Sequence, residues 1–125
     1  MHRWDIRVYY EDTDLAGIVY YANYLKYIER ARSEWLRALG VDQAGLKAEE
    51  GLVFAVRRVQ AEYLRPARYD DVVTVVSSLI EQSGARLELQ QDVLRGETVL
   101  FEGRVTLVCL DAQGRARRVP DIFAP

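Results

Sequence analysis

One stretch of this chain, residues 23–40, carries the apolar repeat of a long α-helix, and almost everything around it carries the repeat of strands. Asn23 is placed to cap the helix and Gly40 to follow its last turn. Between them Tyr24, Ile28, Ala31 and Trp35 fall on one face, and Leu25, Leu36 and Leu39 widen it. Glu29, Arg30, Glu34 and Arg37 supply the wet side. A stripe this broad must be buried, and the rest of the chain offers only strands to bury it. The sequence therefore predicts one long helix lying against one sheet.

The strands read as follows. Trp4, Ile6, Val8 and Tyr10 alternate with Arg3, Asp5, Arg7 and Tyr9, predicting a strand over 3–10. A short helix is expected from Asp42 to Glu50, ended by Gly51. Leu52 to Leu64 is a long strand whose apolar phase shifts near Arg57-Arg58, the mark of a bulge. Val72 to Ile80 is β-branched on both faces. Turns at Ser83-Gly84, Arg95-Gly96-Glu97 and Asp111-Ala112-Gln113-Gly114 separate a strand over Arg86 to Leu94 from one over Val99 to Leu110. In these, Leu87, Leu89 and Val93 share a phase, as do Val105, Leu107 and Cys109; Arg118-Val119 is a candidate short edge.

Short turns imply antiparallel neighbours. The expected class is α+β, a single domain over residues 1–125 with five or six antiparallel strands. One helix covers one sheet face, so strands apolar on both faces call for a second copy of the chain.

Composition narrows the function. The formal net charge of −2 lacks the basic footprint of a duplex nucleic-acid binder. Apolar runs fall short of membrane-spanning length, and the first residues, Met1 to Asp5, lack the apolar core of a signal peptide. With one cysteine, Cys109, no intramolecular disulfide forms, and its apolar phase marks an inert core thiol. The expected compartment is the cytoplasm.

The chemistry concentrates in Glu11-Asp12-Thr13-Asp14, followed by Leu15-Ala16-Gly17 and then the helix. One reading is a solvated loop whose acids favour a helix N-terminus. An Asp-x-Asp after a strand also resembles the nucleophile motif of haloacid dehalogenases, but Ala16 stands where that motif wants Thr or Val, and the parallel sheet is missing. Two carboxylates do not fill an oxygen shell for a cation, and the one histidine, His2, is far from them in sequence, so no metal is expected. The remaining reading is hydrolysis of an activated acyl group. A carboxylate attacks the carbonyl or activates a water, and free N–H groups at a helix start hold the oxyanion. These residue types permit that chemistry without selecting it.

The run from Val8 to Arg32, VYYEDTDLAGIVYYANYLKYIERAR, resembles the signature of the 4-hydroxybenzoyl-CoA thioesterase family, and most closely its acyl-CoA thioesterase branch linked with the bacterial Tol-Pal system. FAVRRVQAEYLRPARYDDVV from Phe54 and VTLVCLDAQGRARRVP from Val105 extend the likeness along nearly the whole chain. The resemblance implies the hotdog fold, a long central helix wrapped by a curved antiparallel sheet. It implies edge-to-edge homodimers that assemble to homotetramers, with active sites at the dimer interface, and hydrolysis of acyl-CoA with no cofactor. It places the catalytic carboxylate on Asp14, the polarising backbone N–H on Tyr21, and a positioning tyrosine on Tyr10. Gly17, Val19 and Tyr20 then line the substrate, and Asp12 holds the loop through Asx-type bonds. Arg115, Arg117 and Arg118 are candidates for the phosphates of coenzyme A, or for a solvated edge.

Arg57, Arg58 and Asp70-Asp71 carry no assigned chemistry, and Tyr20, Tyr21, Tyr24 and Tyr27 fall mostly in the core by helical spacing. The branch commonly has His where this chain has Tyr21. That departure motivates one alternative, a module that binds acyl thioesters or scaffolds a complex without turnover; an acyl-carrier-protein substrate in place of acyl-CoA is another.

Overall fold

A computed structural model describes residues 1–123. Strand β1 (His2–Arg7) leads through a 3-10 turn (Tyr10–Asp12) to helix α1 (Asn23–Ala38) and a short helix α2 (Gln43–Glu50). Strands β2 (Val53–Tyr63), β3 (Val72–Ser83), β4 (Arg86–Arg95) and β5 (Thr98–Leu110) follow. They form one five-stranded sheet in the order β1-β3-β4-β5-β2, with every pair antiparallel. This is the hotdog arrangement, one long helix against one antiparallel sheet.

Helix α1 buries Tyr24, Tyr27, Ile28, Ala31, Trp35 and Leu36. On the sheet side Val73, Val75, Leu87, Leu89, Val93, Phe101, Val105, Leu107 and Cys109 close the core. Both sets follow the periodicities in the sequence. Gly51 ends α2 with φ +68°, a conformation glycine adopts without a Cβ penalty. The bulge falls where the phase shift put it, between Val56 and Arg58.

Several expectations are corrected. Strand β1 stops at Arg7, because the Asp12 carboxylate accepts the Tyr9 N–H at 2.8 Å and folds the chain into the 3-10 turn. Leu25 and Leu39 lie outside the buried stripe and are exposed. Ala22, not Asn23, is the N-cap of α1; the Asn23 side chain is spent on the Asp12 carbonyl at 2.9 Å. The strands β2 and β3 are not neighbours, and residues 64–71 carry the chain from the β2 edge across to β3. Arg118-Val119 adds no strand: a single bridge joins Leu110 to Ala116, and the Val119 N–H bonds the Gly84 carbonyl.

The sheet's outer face is less apolar than expected. It carries Glu88, Gln90, Asp92, Glu102 and Arg104, with Glu88 bonded by Thr106 at 2.9 Å. Of the two sheet edges, β1 and β2, the outer edge of β2 exposes Val53, Val56, Val59 and Tyr63. Among the described residues no helix is long and apolar enough to cross a membrane.

Candidate active site

The segment between β1 and α1 is a small folded unit. Thr13 bridges Val19, the Asp14 N–H donates to the Ile18 carbonyl at 2.9 Å, and Gly17 turns the chain at φ +78°. A side chain at Gly17 would be strained by that backbone angle. Asp12 fastens the unit from behind. Its carbonyl accepts the Tyr20 N–H and the Asn23 amide, each at 2.9 Å.

Within this frame the Asp14 carboxylate is held by one oxygen. Its Oδ1 accepts the Ala16 N–H at 2.9 Å and the Ile18 N–H at 3.4 Å. No donor among the described residues engages Oδ2. A carboxylate oriented through one oxygen and open at the other is equipped to attack a carbonyl or take a proton from water.

Asp14 lines a cleft of about 320 Å³ together with Ile18, Val19, Tyr20, Tyr21 and Tyr24 from the start of α1. Tyr63, Leu64, Arg65 and Pro66 form the opposite wall. The two walls are tied together. The Tyr63 hydroxyl donates to the Tyr21 carbonyl at 2.9 Å, and the Tyr24 hydroxyl accepts the Ala67 N–H at 3.1 Å. Leu64 and Arg65 both donate to the Leu100 carbonyl, at 2.8 and 3.1 Å.

The start of α1 has no side-chain cap. The Tyr20 carbonyl accepts the Asn23 N–H at 2.9 Å, which fixes the Tyr20–Tyr21 peptide plane. In a trans peptide the N–H opposes the carbonyl, so the Tyr21 N–H points away from the helix body. Among the described residues no acceptor takes it. An uncapped donor beside the cleft is the element an oxyanion needs.

The Tyr20 and Tyr63 phenols stay protonated at neutral pH. The neighbouring Tyr21 phenol raises Tyr20 above the usual tyrosine range, and the Asp14 charge adds to this. Burial raises Tyr63, with Tyr21 and Tyr24 contributing. Both therefore act as neutral hydrogen-bonding groups and not as bases.

The structure thus gathers Asp14, Val19, Tyr20 and Tyr21 in one cleft. Gly17 shapes the loop without lining it. Tyr10 stands outside, 81% exposed, its ring 6.0 Å from that of Tyr69. Arg115 and Arg117 are both paired with Asp111, at 3.1 and 3.0 Å. Arg118 lines a separate pocket with Gln82 and Asp121. The three arginines follow the far end of β5 from the cleft, on the order of 30 Å away along the strand. Tyr63, Arg65 and Pro66 are cleft residues that the sequence reading did not single out. Their signal is a strand-terminal aromatic followed by a pre-proline rim, and the pairing of β2 with β5 together with the crossover to β3 brings it to Asp14.

Comparisons with known proteins bear on the family and the fold. The profile of the thioesterase-like superfamily matches residues 8–124. The acyl-CoA thioester hydrolase YbgC of Escherichia coli is 42% identical over 112 residues, covering 89% of this chain and 83% of that protein. The acyl-CoA thioesterase YbgC of Haemophilus influenzae is 40% identical over 106 residues, covering 85% and 78%. The crystal structure of a probable thioesterase from Bartonella henselae superposes with a TM-score of 0.91 at 38% identity, covering 95% of this chain and 98% of that one. The chain belongs to the thioesterase-like superfamily, in the branch of the YbgC proteins.

Proposed function

We propose that this protein hydrolyses the thioester of a small or medium acyl-CoA to a carboxylic acid and free coenzyme A. The observation that carries this reading is one cleft holding a half-free carboxylate and an unsatisfied helix-start N–H, in a chain of this superfamily. The Tyr21 N–H receives the thioester oxygen, and charge developing there is stabilised by a donor that needs no reorganisation. Asp14 Oδ2 attacks the carbonyl carbon or deprotonates a water that does so. The thiolate leaves, and water supplies the second oxygen of the acid. Tyr63 holds the Tyr21 carbonyl, in the peptide that follows, from the opposite wall. The cytoplasm is the compartment proposed for the reaction.

The active unit in this proposal is a homodimer paired through the free β2 edges. Within one chain Tyr63 stands opposite Phe101, and Val53 opposite Leu110. Antiparallel pairing of β2 with its copy sets the Tyr63 end of one chain beside the Val53 end of the other. The Arg115, Arg117 and Arg118 cluster of one chain then approaches the cleft of its partner, where it meets the phosphates of coenzyme A. Assembly of dimers into tetramers follows from the family resemblance.

A panel of acyl-CoA esters with thiol release as the readout tests the reaction. Turnover of at least one member is expected. Binding without turnover of any member would favour the non-catalytic module, and the same acyl chain hydrolysed faster on a carrier protein would favour that carrier.

A further inference from the structure

The proposed hydrolysis needs Asp14 and the Tyr21 N–H at a fixed separation, yet the two sit on different pieces of chain. Asp14 belongs to the loop after the 3-10 turn, and Tyr21 to the last step before α1. A misplacement of about 1 Å between reacting groups costs on the order of a hundredfold in rate. Bonds from both pieces meet at one atom, the Asp12 carbonyl oxygen. That oxygen is itself firmly placed. The Asp12 N–H donates to the Tyr9 carbonyl at 3.0 Å, and the Asp12 carboxylate accepts the Tyr9 N–H at 2.8 Å.

The two lone pairs of the Asp12 carbonyl take two donors, the Tyr20 N–H and Asn23 Nδ2, each at 2.9 Å. The Asn23 N–H in turn donates to the Tyr20 carbonyl at 2.9 Å. These bonds close a ring through Asp12, Tyr20 and Asn23. The Tyr20 carbonyl is a member of that ring, and its peptide carries the Tyr21 N–H. Asn23 is not spent on the helix itself. An asparagine that caps a helix accepts a backbone N–H on its side-chain oxygen, but α1 has no side-chain cap. Here the amide hydrogen is used, and it points back to the acidic turn. Asparagine is also a weak helix former, so helix propensity does not account for it at this position.

We propose that Asn23 is a positioning residue for the thioester reaction. Its side-chain amide ties the first residue of α1 to the acidic turn and so sets the Tyr21 N–H against Asp14. This assignment rests on the reading of Asp14 and Tyr21 as the reacting carboxylate and the oxyanion donor. Asn23 lines no part of the cleft, so it acts through Asp12 and Tyr20 and not on the substrate.

Steady-state kinetics of Asn23→Ala, Asn23→Asp, Asp14→Asn and the double variant Asp14→Asn/Asn23→Ala give the test, on the acyl-CoA that the wild type turns over fastest. Asn23→Asp keeps the side-chain shape and exchanges the donor for a carboxylate, which the dipole at the start of α1 favours, so it stays folded even if Asn23→Ala does not. Its kcat is read where it no longer changes with pH, so that the added charge does not act through ionisation. In both single variants kcat should fall about tenfold or more while KM stays within about twofold. Added to Asp14→Asn, Asn23→Ala should cost less than about twofold, because the group it positions is already gone. Wild-type kcat in Asn23→Asp, a rise in KM in place of the fall in kcat, or a loss that multiplies in full onto that of Asp14→Asn would overturn the assignment alone. Full turnover by Asp14→Asn would overturn the reading of Asp14 and this assignment with it.

Discussion

Replacing Tyr24 by Phe removes one oxygen and leaves the aromatic packing in place. The Tyr24 ring stacks on Phe101 at 5.2 Å and 8°, and meets Tyr63 edge-on at 5.4 Å. Tyr24 is 3% exposed and Ala67 is fully buried, so the Ala67 N–H loses its acceptor where water does not replace it. Orphaning a buried donor costs about 1–3 kcal/mol. Burial already pushes the Tyr24 phenol above its ordinary pKa, so removing a poorly solvated hydroxyl returns part of that cost. The net loss is expected near 1–2 kcal/mol, which for a chain of this size lowers Tm by about 4–8 °C. The segment from Leu64 to Ala67 forms one wall of the cleft, so KM for the thioester should rise more than kcat falls. Thermal unfolding, amide exchange at Ala67 and steady-state kinetics measure these three effects. A Tm within about 1 °C of wild type, with the Ala67 amide still protected, would refute the claim that this bond holds the cleft wall.

Other predictions follow the same reasoning. A Cβ at Gly103 would stand 2.8 Å from Phe101 Cε1 and 2.9 Å from the Gln91 carbonyl oxygen, so Gly103→Ala should destabilise by about 1–3 kcal/mol despite its gain in unfolded-state entropy, as read by urea unfolding. For Asp71, burial raises the pKa, but the Arg68 N–H at 2.8 Å and Arg95 at 2.8 Å outweigh it and hold the carboxyl below its ordinary value. Its contribution to stability is therefore present above the unfolded pKa of about 3.9 and is lost as pH falls through the lower folded value. Asp71→Asn should accordingly lower Tm at neutral pH, and the difference from wild type should close as pH falls through the lowered Asp71 value in a thermal-unfolding series.

Much of the architecture was legible because it rests on local periodicity. The α1 stripe, the phase shift at Arg57-Arg58 and the glycine-marked turns each depend on a few neighbouring residues. What escaped depends on distant ones. Tyr10 continues the β1 alternation in sequence, yet a bond from Tyr9 to Asp12 takes it out of the strand. Gln91 shares the inward phase of Leu89 and Val93, but a polar residue in that phase gives no sign of its partners on α1 and β3. The Asp14 loop was visible as a cluster of acids. The opposite wall of its cleft was not, since Tyr63 to Pro66 arrive there through the pairing of β2 with the distant β5 and the crossover that follows, which turn lengths do not encode.

The central claim is that Asp14 performs the chemistry while the Tyr21 N–H holds the oxyanion. Asp14→Asn keeps the Oδ1 acceptor for Ala16 and Ile18 and changes only the group presented to the substrate. Its kcat on the best acyl-CoA of the panel, compared with wild type at equal Tm, is the most direct measurement. The account predicts a loss on the order of a hundredfold or more. A well-folded Asp14→Asn protein that turns over within a few-fold of wild type would contradict it.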